Sequence, residues 1–375
     1  MTDTPPPCSS QPAPGQQIQG NRGFWAKPWV TPRIQWRVPW GCKLWVGLLS
    51  LSLWFMGGGL QGCAAVTGDA GDGLNRSMAA VGEYSAVGEQ AETRTVQHAL
   101  GQTVVPRSPQ RIVTLGNLPL EAALVLGVVP LGAAPDSFAG NPGQFPGYLP
   151  EDAVAAMTYL GDEEQPSLER IVSLQPDLIL GLYPVHSSLY AQLSQIAPTV
   201  LYPVFDGKAF APWQDALATY GEAIDRSEAV DRVLAAYNRQ IQTLRQQLPQ
   251  SPNRYQVSLL RFMPGQLRLY LGGSFAGRVL ADVGFARPPA QRQETFFERI
   301  SLEQLPEADG DRLVVLQSDP EATLFREFSQ TPLWQNLGAV QADRVYSVNY
   351  DYWLSEGPIA AQKILEDLLT IFSDS

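Results

Sequence analysis

Histidine is scarce in this chain of 375 residues, which contains only His98 and His186. A Ser-His-Asp triad or a histidine-rich zinc site therefore has little material to form from. Three common enzyme patterns are also missing: no GxGxxG follows a predicted strand, no GxxxxGK[ST] occurs, and residues 272–277 read GGSFAG rather than GxSxG. These absences argue that the chain is not an enzyme.

The two histidines have simple interpretations. His98 lies on a predicted strand beside Gly101, where we expect a structural role. His186 follows a predicted core strand and either lines a cleft or ligates a metal, but the neighbouring sequence offers no second histidine or cysteine. We therefore predict no metal site and no cofactor that belongs to the protein.

Positive charge is in short supply. The formal net charge is −11, and the first 62 residues carry five basic residues against one acidic residue, so the remainder carries −15. Only two lysines follow Cys63, namely Lys208 and Lys363. Phosphate binding needs a clustered basic face, so this balance argues against a nucleic-acid partner. Arginine would have to supply most of the positive charge for any anionic ligand.

A membrane-spanning run is missing as well. The uncharged apolar run 44–56 is shorter than the roughly 20 residues that span a bilayer. It follows a basic stretch and precedes Leu60-Gln61-Gly62-Cys63, which resembles the lipobox of bacterial lipoproteins. We interpret 1–62 as a signal peptide, with its lipobox at 60–63, that is cleaved before Cys63. The alternative is an uncleaved membrane anchor with an incidental cysteine.

Cleavage would leave Cys63 as the single cysteine, because Cys8 and Cys42 lie in the removed segment. The exported protein would then have no disulfide and no catalytic thiol, since Cys63 would carry the lipid. Residues 63–94 are rich in Gly, Ala, Ser and acidic residues without periodicity, which is typical of a flexible tether.

The clearest element that is present is a helix over 225–248. Apolar residues recur along it at steps of three and four, which is one face of a helix. Asp225 and Glu228 predict a capping box at its start, and Pro249 forbids continuation. Such a helix is about 35 Å long at 1.5 Å per residue, which is enough to join two lobes.

Short strands alternate with helices on both sides of this helix. This alternation indicates parallel sheets covered by helices. The predicted elements of the first lobe, 95–224, are 95–99, 102–105, 111–116, 119–126, 131–134, 168–174, 178–182, 187–196, 199–204 and 211–224. Those of the second lobe, 249–375, are 255–262, 266–271, 275–283, 313–317, 344–348 and 358–372. The predicted fold class is α/β, with two Rossmann-like lobes joined by one long helix.

A short motif occurs once in each lobe. Ser167 and Ser301 each precede a predicted helix, and an aspartate that opens a core strand follows ten residues later. Glu169 and Glu303 lie in the first turns of these helices, where the helix dipole favours a carboxylate. The two glutamates are either helix caps or a matched acidic pair for one symmetric partner.

Ligands of open α/β sheets lie beyond the carboxyl ends of the strands. This rule also places Asp136 near the opening between the lobes, and the candidate ligand-binding residues are Arg261, Phe262, Tyr183, Asn117, Phe138, Tyr352 and Trp353. Arg261 suits carboxylate, hydroxamate or catecholate oxygens in forked geometry, unless it is an exposed arginine at a strand end. The run of three aromatics in 350–353 indicates a binding loop unless it packs in a satellite core.

Four segments resemble the solute-binding proteins of iron-siderophore ABC importers, of the ferric hydroxamate and dicitrate type. They are TVQHALGQTVVPRSPQRIVTL, PSLERIVSLQPDLILG, SFAGRVLADVGFARP and ISLEQL. The resemblance extends from Thr95 to Ser375, and cobalamin-binding proteins share the architecture. It implies the helical-backbone periplasmic-binding-protein fold, with a ferric siderophore between two lobes on one rigid helix and little hinge motion.

The resemblance also assigns roles to particular residues. Arg261 matches the family's ligand-contacting arginine, while Glu169 and Glu303 match glutamates that dock onto arginine pockets of the two permease subunits. We therefore expect a monomeric binding protein, lipid-anchored on the periplasmic side of a bacterial membrane, that delivers a ferric siderophore to an ABC importer. Cobalamin or haem delivery is the alternative within the fold. A metal-dependent hydrolase is the alternative from another class, and it would need a cluster of histidines and carboxylates.

Overall fold

The computed structural model describes residues 92–136, 143–317 and 322–373, all within one compact unit, Glu83–Ser375. The predictions for the signal peptide, for Cys63 and for most of the tether concern residues outside these ranges, as does the prediction for Phe138. Within these ranges, no helix combines the length and the apolar character that crossing a membrane requires.

The first lobe is built on a parallel sheet. Its strands are β1 (Thr93–His98), β2 (Gly101–Pro106), β3 (Ile112–Leu115), β4 (Gly132–Ala134), β5 (Thr158–Tyr159), β6 (Gly161–Asp162), β7 (Gln165–Pro166), β8 (Leu178–Tyr183) and β9 (Thr199–Pro203). Its helices are α1 (Asn117–Val125), α2 (Glu151–Ala156), α3 (Leu168–Ser173), α4 (Tyr190–Ile196) and α5 (Trp213–Ala223). The sheet order is β5-β4-β3-β8-β9 with parallel pairing, and the predicted hairpin of β1 and β2 is confirmed.

The second lobe has a mixed sheet. Its strands are β10 (Val257–Met263), β11 (Gln266–Tyr270), β12 (Phe297–Ile300), β13 (Arg312–Gln317) and β14 (Val345–Asn349). Its α-helices are α7 (Phe275–Val283), α8 (Ala322–Phe328), α9 (Pro332–Gln335), α10 (Gly338–Gln341), α11 (Tyr350–Trp353) and α12 (Pro358–Ser373), and 3₁₀ helices occupy Pro252–Arg254, Pro289–Gln291 and Leu302–Ala308. The sheet order is β12-β11-β10-β13-β14, in which β10, β13 and β14 are parallel and β11 and β12 run antiparallel.

The predicted long helix is confirmed as α6 (Ser227–Gln247). Tyr237, near its middle, joins elements of both lobes. Its ring packs edge-on against Trp213 of α5 at 5.0 Å, and its hydroxyl donates to Asp282 of α7 at 2.9 Å. The helix therefore fixes the two lobes to each other through a buried aromatic contact and a hydrogen bond.

The predicted capping box at the start of α6 is wrong. Arg226 holds the cap position without a side-chain hydrogen bond, and Asp225 adopts a left-handed backbone with φ of 60°. The Asp225 carboxylate instead forms an ion pair with Arg94 of β1 at 2.6 Å. Because that carboxylate is held by the hairpin, it does not cap the helix with Glu228.

The repeated motif caps a helix in both lobes. The Ser167 hydroxyl accepts a hydrogen bond from the Arg170 backbone at the start of α3. Ser301 forms a capping box with Gln304 at the start of the 3₁₀ helix Leu302–Ala308. The prediction that both serines cap is thus confirmed, although the second helix is 3₁₀ rather than α.

The aspartate of each motif fastens the start of the lobe's central strand. Asp177 accepts hydrogen bonds from the backbone of Gln110 and Arg111, just before β3, at 2.8 and 2.9 Å. Asp311 accepts one from the backbone of Gln256, just before β10, at 2.7 Å. The ten-residue spacing therefore places a carboxylate beside the neighbouring strand in both sheets.

Candidate functional site

A small polar pocket lies where the carboxyl ends of strands from the two lobes meet. It has a volume of about 30 Å³ and is lined by Asn117, Asp136, Glu163, Leu354, Ser355 and Glu356. Asn117 follows β3, Asp136 follows β4, and residues 354–356 follow α11 at the end of β14. This inter-lobe position is the one that the strand-end rule predicts. We call it the carboxyl pocket.

Asn117 lines this pocket and is only 5% exposed. Its Oδ1 accepts a hydrogen bond from the Asp136 backbone N–H at 3.1 Å, and this contact orients the amide because a backbone N–H can only donate. The Nδ2 group has no hydrogen-bond partner among the described residues. A buried donor without an acceptor costs free energy, so this position favours a ligand that brings an acceptor atom.

Glu163 places its carboxyl group against the start of α1. The backbone of Asn117 donates a hydrogen bond to it, and Gly116, with φ of 104°, leaves room for the approach. A Cβ on Gly116 would lie 2.9 Å from Glu163 Oε2. Burial, followed by the negative charges of Asp136 and Glu164, raises the pKa of Glu163 to about 8.

Glu356 reaches the same pocket from the second lobe. Burial first, and then the charges of Glu163, Asp136 and Glu121, raise the pKa of Glu356 well above its ordinary value. Neither Glu163 nor Glu356 forms an ion pair with any residue that the structure describes. Burial and mutual repulsion thus raise the pKa of one carboxyl group from each lobe.

His186 is structural. It is fully buried, its Nδ1 accepts from the Leu182 backbone N–H at 3.0 Å, and its Nε2 lies 2.9 Å from the Glu163 backbone oxygen. Main-chain groups thus engage both ring nitrogens, and burial lowers the pKa of His186. The ring fastens the segment that carries Glu163 to the end of β8.

Three arginines lie side by side on one face of the second lobe's sheet. Arg261 of β10 pairs with Arg268 of β11, and Arg268 pairs with Arg299 of β12. Directly paired residues place their side chains on the same face, with Cβ atoms about 5 Å apart. Exposure increases along this set, from the buried Arg261 through the half-buried Arg268 to the exposed Arg299. We call these residues the arginine row.

The inner end of the arginine row lies next to the segment that forms the carboxyl pocket. The Arg261 guanidinium is 4.4 Å from the ring centre of Tyr350, the first residue of α11. Arg261 is only 4% exposed, so its interpretation as an exposed arginine at a strand end is wrong. The same short helix therefore contacts the arginine row at its start and leads into the carboxyl pocket at its end.

The middle of the arginine row lies next to a second inter-lobe contact. The Arg268 guanidinium is 4.4 Å from the ring centre of Phe297. Phe297 contacts Phe296, whose ring packs edge-on against Phe210 of the first lobe at 4.8 Å. Arg268 is thus connected through Phe297 and Phe296 to a contact between the two lobes.

Phe262 does not share the cleft with Arg261. Successive strand residues point to opposite faces, so Phe262 points away from the arginine row. It is 6% exposed and packs against Phe328 at 4.9 Å and Phe325 at 5.3 Å. The prediction that Phe262 lines the cleft with Arg261 is therefore corrected: it is a core residue of the opposite face.

Trp353 also points into the core, whereas Tyr352 is half-buried and its ring packs edge-on against Tyr148 of the first lobe at 5.9 Å. Trp353 has no exposed surface, and its indole N–H donates to Asp367 of α12 at 2.7 Å. The Tyr352 hydroxyl donates to the same carboxylate at 2.8 Å. The satellite-core interpretation of this run therefore describes Trp353, which cannot pack on a ligand from a fully buried position. Of the aromatic run, Tyr350 is the residue beside Arg261.

The structure gives the positions of the remaining candidate residues, Tyr183, Glu169 and Glu303. Tyr183 ends β8 and is half-buried. Glu169 and Glu303 are exposed in the first turns of their helices. Hydrogen bonds from its own backbone and from Ser301 lower the pKa of Glu303. These residues stay predictions for ligand contact and for docking.

A buried carboxylate that the sequence analysis did not identify joins the lobes beside the carboxyl pocket. Glu121 of α1 has no exposed surface, and its Oε2 accepts from the backbone N–H groups of Ile359 and Ala360, at 2.8 and 2.9 Å, in the first turn of α12. Its Oε1 accepts from the hydroxyls of Tyr148 and Ser355, at 2.6 and 3.1 Å. Burial raises the pKa of Glu121, and these four hydrogen bonds oppose that shift.

Comparison with known proteins identifies a family for this architecture. A family model described as "Periplasmic binding protein" matches residues 112–352. The chain is 33% identical over 296 residues to the probable siderophore-binding lipoprotein YfiY of Bacillus subtilis. The aligned residues cover 75% of this chain and 88% of that protein. The chain is 30% identical over 281 residues to the Fe(3+) dicitrate-binding periplasmic protein FecB of Escherichia coli, with coverage of 74% and 90%.

A solved structure shows the same fold. The structure of SirA from Staphylococcus aureus complexed with staphyloferrin B matches with a TM-score of 0.64 and 26% identity, covering 74% of this chain and 98% of that chain. This similarity confirms the predicted α/β architecture of two lobes with a helical backbone.

Proposed function

Because the chain belongs to the periplasmic binding protein family and is a solute-binding protein rather than an enzyme, we propose that it captures a ferric siderophore in the cleft between its lobes. Its relatives YfiY and FecB, named for a siderophore and for Fe(3+) dicitrate, support this class of ligand. Iron enters as part of the ligand, because a siderophore supplies the oxygen atoms that coordinate it.

The arginine row is the observation that carries this proposal. The chain beyond residue 62 has a net charge of −15, which would repel an anionic chelate unless positive charge stood at the binding site. Arg261, Arg268 and Arg299 supply it on one face beside the cleft. Planar guanidinium groups bind carboxylate, hydroxamate and catecholate oxygens through paired hydrogen bonds, which lysine cannot reproduce.

Binding of ferric chelates by arginine variants tests the proposal. We expect Arg268→Gln to weaken the binding of ferric dicitrate or another anionic ferric siderophore by about ten- to a hundredfold, because it removes a charge-assisted contact. Arg299→Gln should have a smaller effect because Arg299 is exposed. The measurement is quenching of tryptophan fluorescence during titration with ferric dicitrate, a ferric hydroxamate, a ferric catecholate, cobalamin and haem.

The matched control is Arg239→Gln, which removes an exposed arginine from α6 and should leave the dissociation constant unchanged. Equal affinity in the wild type and in Arg268→Gln would remove the arginine row from the site. Tight binding of cobalamin or haem alone would overturn the siderophore assignment. Arg268 is preferred to Arg261 for this test because Arg268 is half-buried, whereas Arg261 is buried and its substitution would disturb the core.

The proposal extends to anchoring and delivery. We propose that a lipid on Cys63 holds the monomeric protein on the periplasmic side of a bacterial membrane and that Glu169 and Glu303 dock onto the permease of an ABC importer. Both glutamates are exposed and occupy equivalent first turns in the two lobes. The names of its relatives, a lipoprotein and a periplasmic binding protein, support this placement.

Docking has its own test. Replacing both Glu169 and Glu303 with Gln should abolish uptake of the ferric chelate in cells while the dissociation constant changes less than about twofold, since charges at the rim act on the partner contact. Uptake of radioactive iron and fluorescence titration measure the two effects. Uptake at the parent rate in the double variant would reduce both residues to helix caps.

A further inference from the structure

We infer that the carboxyl pocket is a subsite for a primary ammonium group, so that the ferric chelate taken by this protein carries an amine as well as anionic oxygens. This inference rests on the proposed function, because it assigns a further part of the same ligand. The residues that carry it are Glu163 and Asn117 of the first lobe and Glu356 of the second.

The size and position of the pocket suit a small group at the end of a larger ligand. Its volume of about 30 Å³ accommodates about one or two atoms of the size of a water molecule or an ammonium nitrogen. Glu163 and Glu356 are each partly exposed, so the pocket is reached from the cleft rather than sealed in the core. An amine that enters between the lobes would contact both carboxyl groups together.

The charges of the pocket favour a cation over a neutral group. Glu163 and Glu356 face the same small space with Asp136 nearby, and neither glutamate has an ion-pair partner in the described part of the chain. Two carboxylates this close resist ionising together, whereas an ammonium between them would stabilise both ionised forms. The raised pKa values of Glu163 and Glu356 are in line with that geometry.

Asn117 provides an independent sign that a ligand atom belongs in this pocket. Its side chain is more than nine-tenths buried, and its Nδ2 is a donor without an acceptor among the described residues. Its Oδ1 is held by the Asp136 backbone, so the amide cannot turn over without losing that bond. An oxygen beside the amine of the ligand, such as a hydroxyl or a carbonyl, would accept from Nδ2.

The arginine row and the carboxyl pocket are close enough to serve one molecule. Tyr350, which contacts Arg261, and Glu356, which lines the pocket, are six residues apart, so their Cα atoms are separated by at most about 20 Å. A bare metal ion is a poorer occupant, since no group of three His, Cys, Asp or Glu side chains suited to a metal was found in the ranges that the structure describes. The preferred ligand is therefore zwitterionic.

Ethanolamine is the probe that tests this subsite without any siderophore. Its ammonium group lies two carbons from a hydroxyl oxygen, and ethylene glycol is its neutral counterpart. With the protein labelled by ¹³C at the glutamate carboxyl carbons, the NMR shifts of Glu163 and Glu356 at pH 7 report their ionisation. We expect ethanolamine at up to about 50 mM to move both signals to the ionised position and ethylene glycol to leave them in place.

Three variants make the test specific to the pocket. Glu163→Gln and Glu356→Gln should each weaken ethanolamine binding at least about tenfold, as read from the signal of the remaining glutamate. Glu228→Gln, which alters an exposed carboxylate of α6, should leave it unchanged. No ethanolamine-dependent shift, or an equal shift with ethylene glycol, would overturn the inference. Ferric chelates that still bind would then preserve the proposed function, whereas failure of every ferric chelate to bind would overturn that function instead.

Discussion

The two lobes share one capping motif but differ in the chemistry that they present to the cleft. In the first lobe, Asn117 and Glu163 offer an amide and a carboxyl group. In the second, Glu356 also offers a carboxyl group, but the arginine row adds guanidinium groups on one sheet face. The residues that bond to the backbone, such as Asp177 and Asp311, occupy equivalent places in both lobes. The shared architecture thus depends on backbone contacts, while the cleft is free to differ between lobes.

Sheet topology explains part of this difference. The first sheet is parallel, so each strand ends once at the cleft and contributes only the few residues that follow it. The second sheet contains the antiparallel strands β11 and β12 beside β10, so paired residues of neighbouring strands form a continuous row. A meander at the cleft can therefore line up three like side chains, which a set of parallel strand ends does not do.

Replacing Glu121 should have the largest effect, because this residue holds the two unlike lobes together. In Glu121→Leu, the side chain carries no oxygen, so the two backbone N–H groups and the two hydroxyls lose this buried acceptor. We expect the free energy of unfolding to fall by about 3 kcal/mol. Urea unfolding followed by far-UV circular dichroism measures it. Glu366→Leu, on the exposed face of α12, should change stability by less than about 0.5 kcal/mol, and equal effects of the two changes would contradict this role for Glu121.

The sequence predicts the elements of the fold well where periodicity and capping residues are local. The helix α7 is observed at its predicted bounds, 275–283, with Ser274 capping its start and Gly284 its end, and the predicted strands 255–262 and 266–271 form the hairpin of β10 and β11. That hairpin also places Arg268 opposite Arg261, since Arg261 lies three residues before Pro264 and Arg268 lies three residues after Gly265. The sequence does not predict the position of Arg299 beside Arg268, because Arg299 lies on β12, about thirty residues further along the chain, and local patterns do not fix the register of β12 against β11.

The candidate site was harder to predict because burial is not a local property. Phe262 and Trp353 were predicted near the cleft because they follow or end strands in the sequence. Phe262 instead points into the core because side chains alternate along β10, and Trp353 is held in the core by its hydrogen bond to Asp367. Glu121 and Glu356 give no local signal, since an isolated acidic residue usually lies on the surface. Their partners come from the opposite lobe and appear only when the lobes are assembled.

The carboxyl pocket should make stability depend on pH in a way that the arginine row does not. The pKa of Glu163 rises from an ordinary value near 4.5 to about 8, so between these pH values the folded state keeps a proton that the unfolded state loses. Stability should therefore fall as pH rises from about 5 to 8, by up to about 1.4 kcal/mol per pH unit for this group. Glu356 acts with the same sign.

Urea midpoints measured at pH 5, 6, 7 and 8 would show this slope. Glu163→Gln should flatten it, because the variant side chain does not titrate. Glu228→Gln, at an exposed position of α6, should keep the wild-type slope. A slope that is the same in Glu163→Gln and in the wild type would place the titrating group elsewhere.

The smallest effect should come from the aspartates that the two lobes share, and it should still differ between them. Asp177 accepts two backbone hydrogen bonds and Asp311 accepts one, so an asparagine, with a single acceptor oxygen, can satisfy only the second site. We expect Asp177→Asn to lower the free energy of unfolding by about 1 to 2 kcal/mol and Asp311→Asn by about 0.5 kcal/mol or less. Urea unfolding of both variants beside the wild type measures the difference. An equal loss in the two variants would mean that the count of backbone bonds does not set the cost, and that the two motifs are equivalent in energy as well as in position.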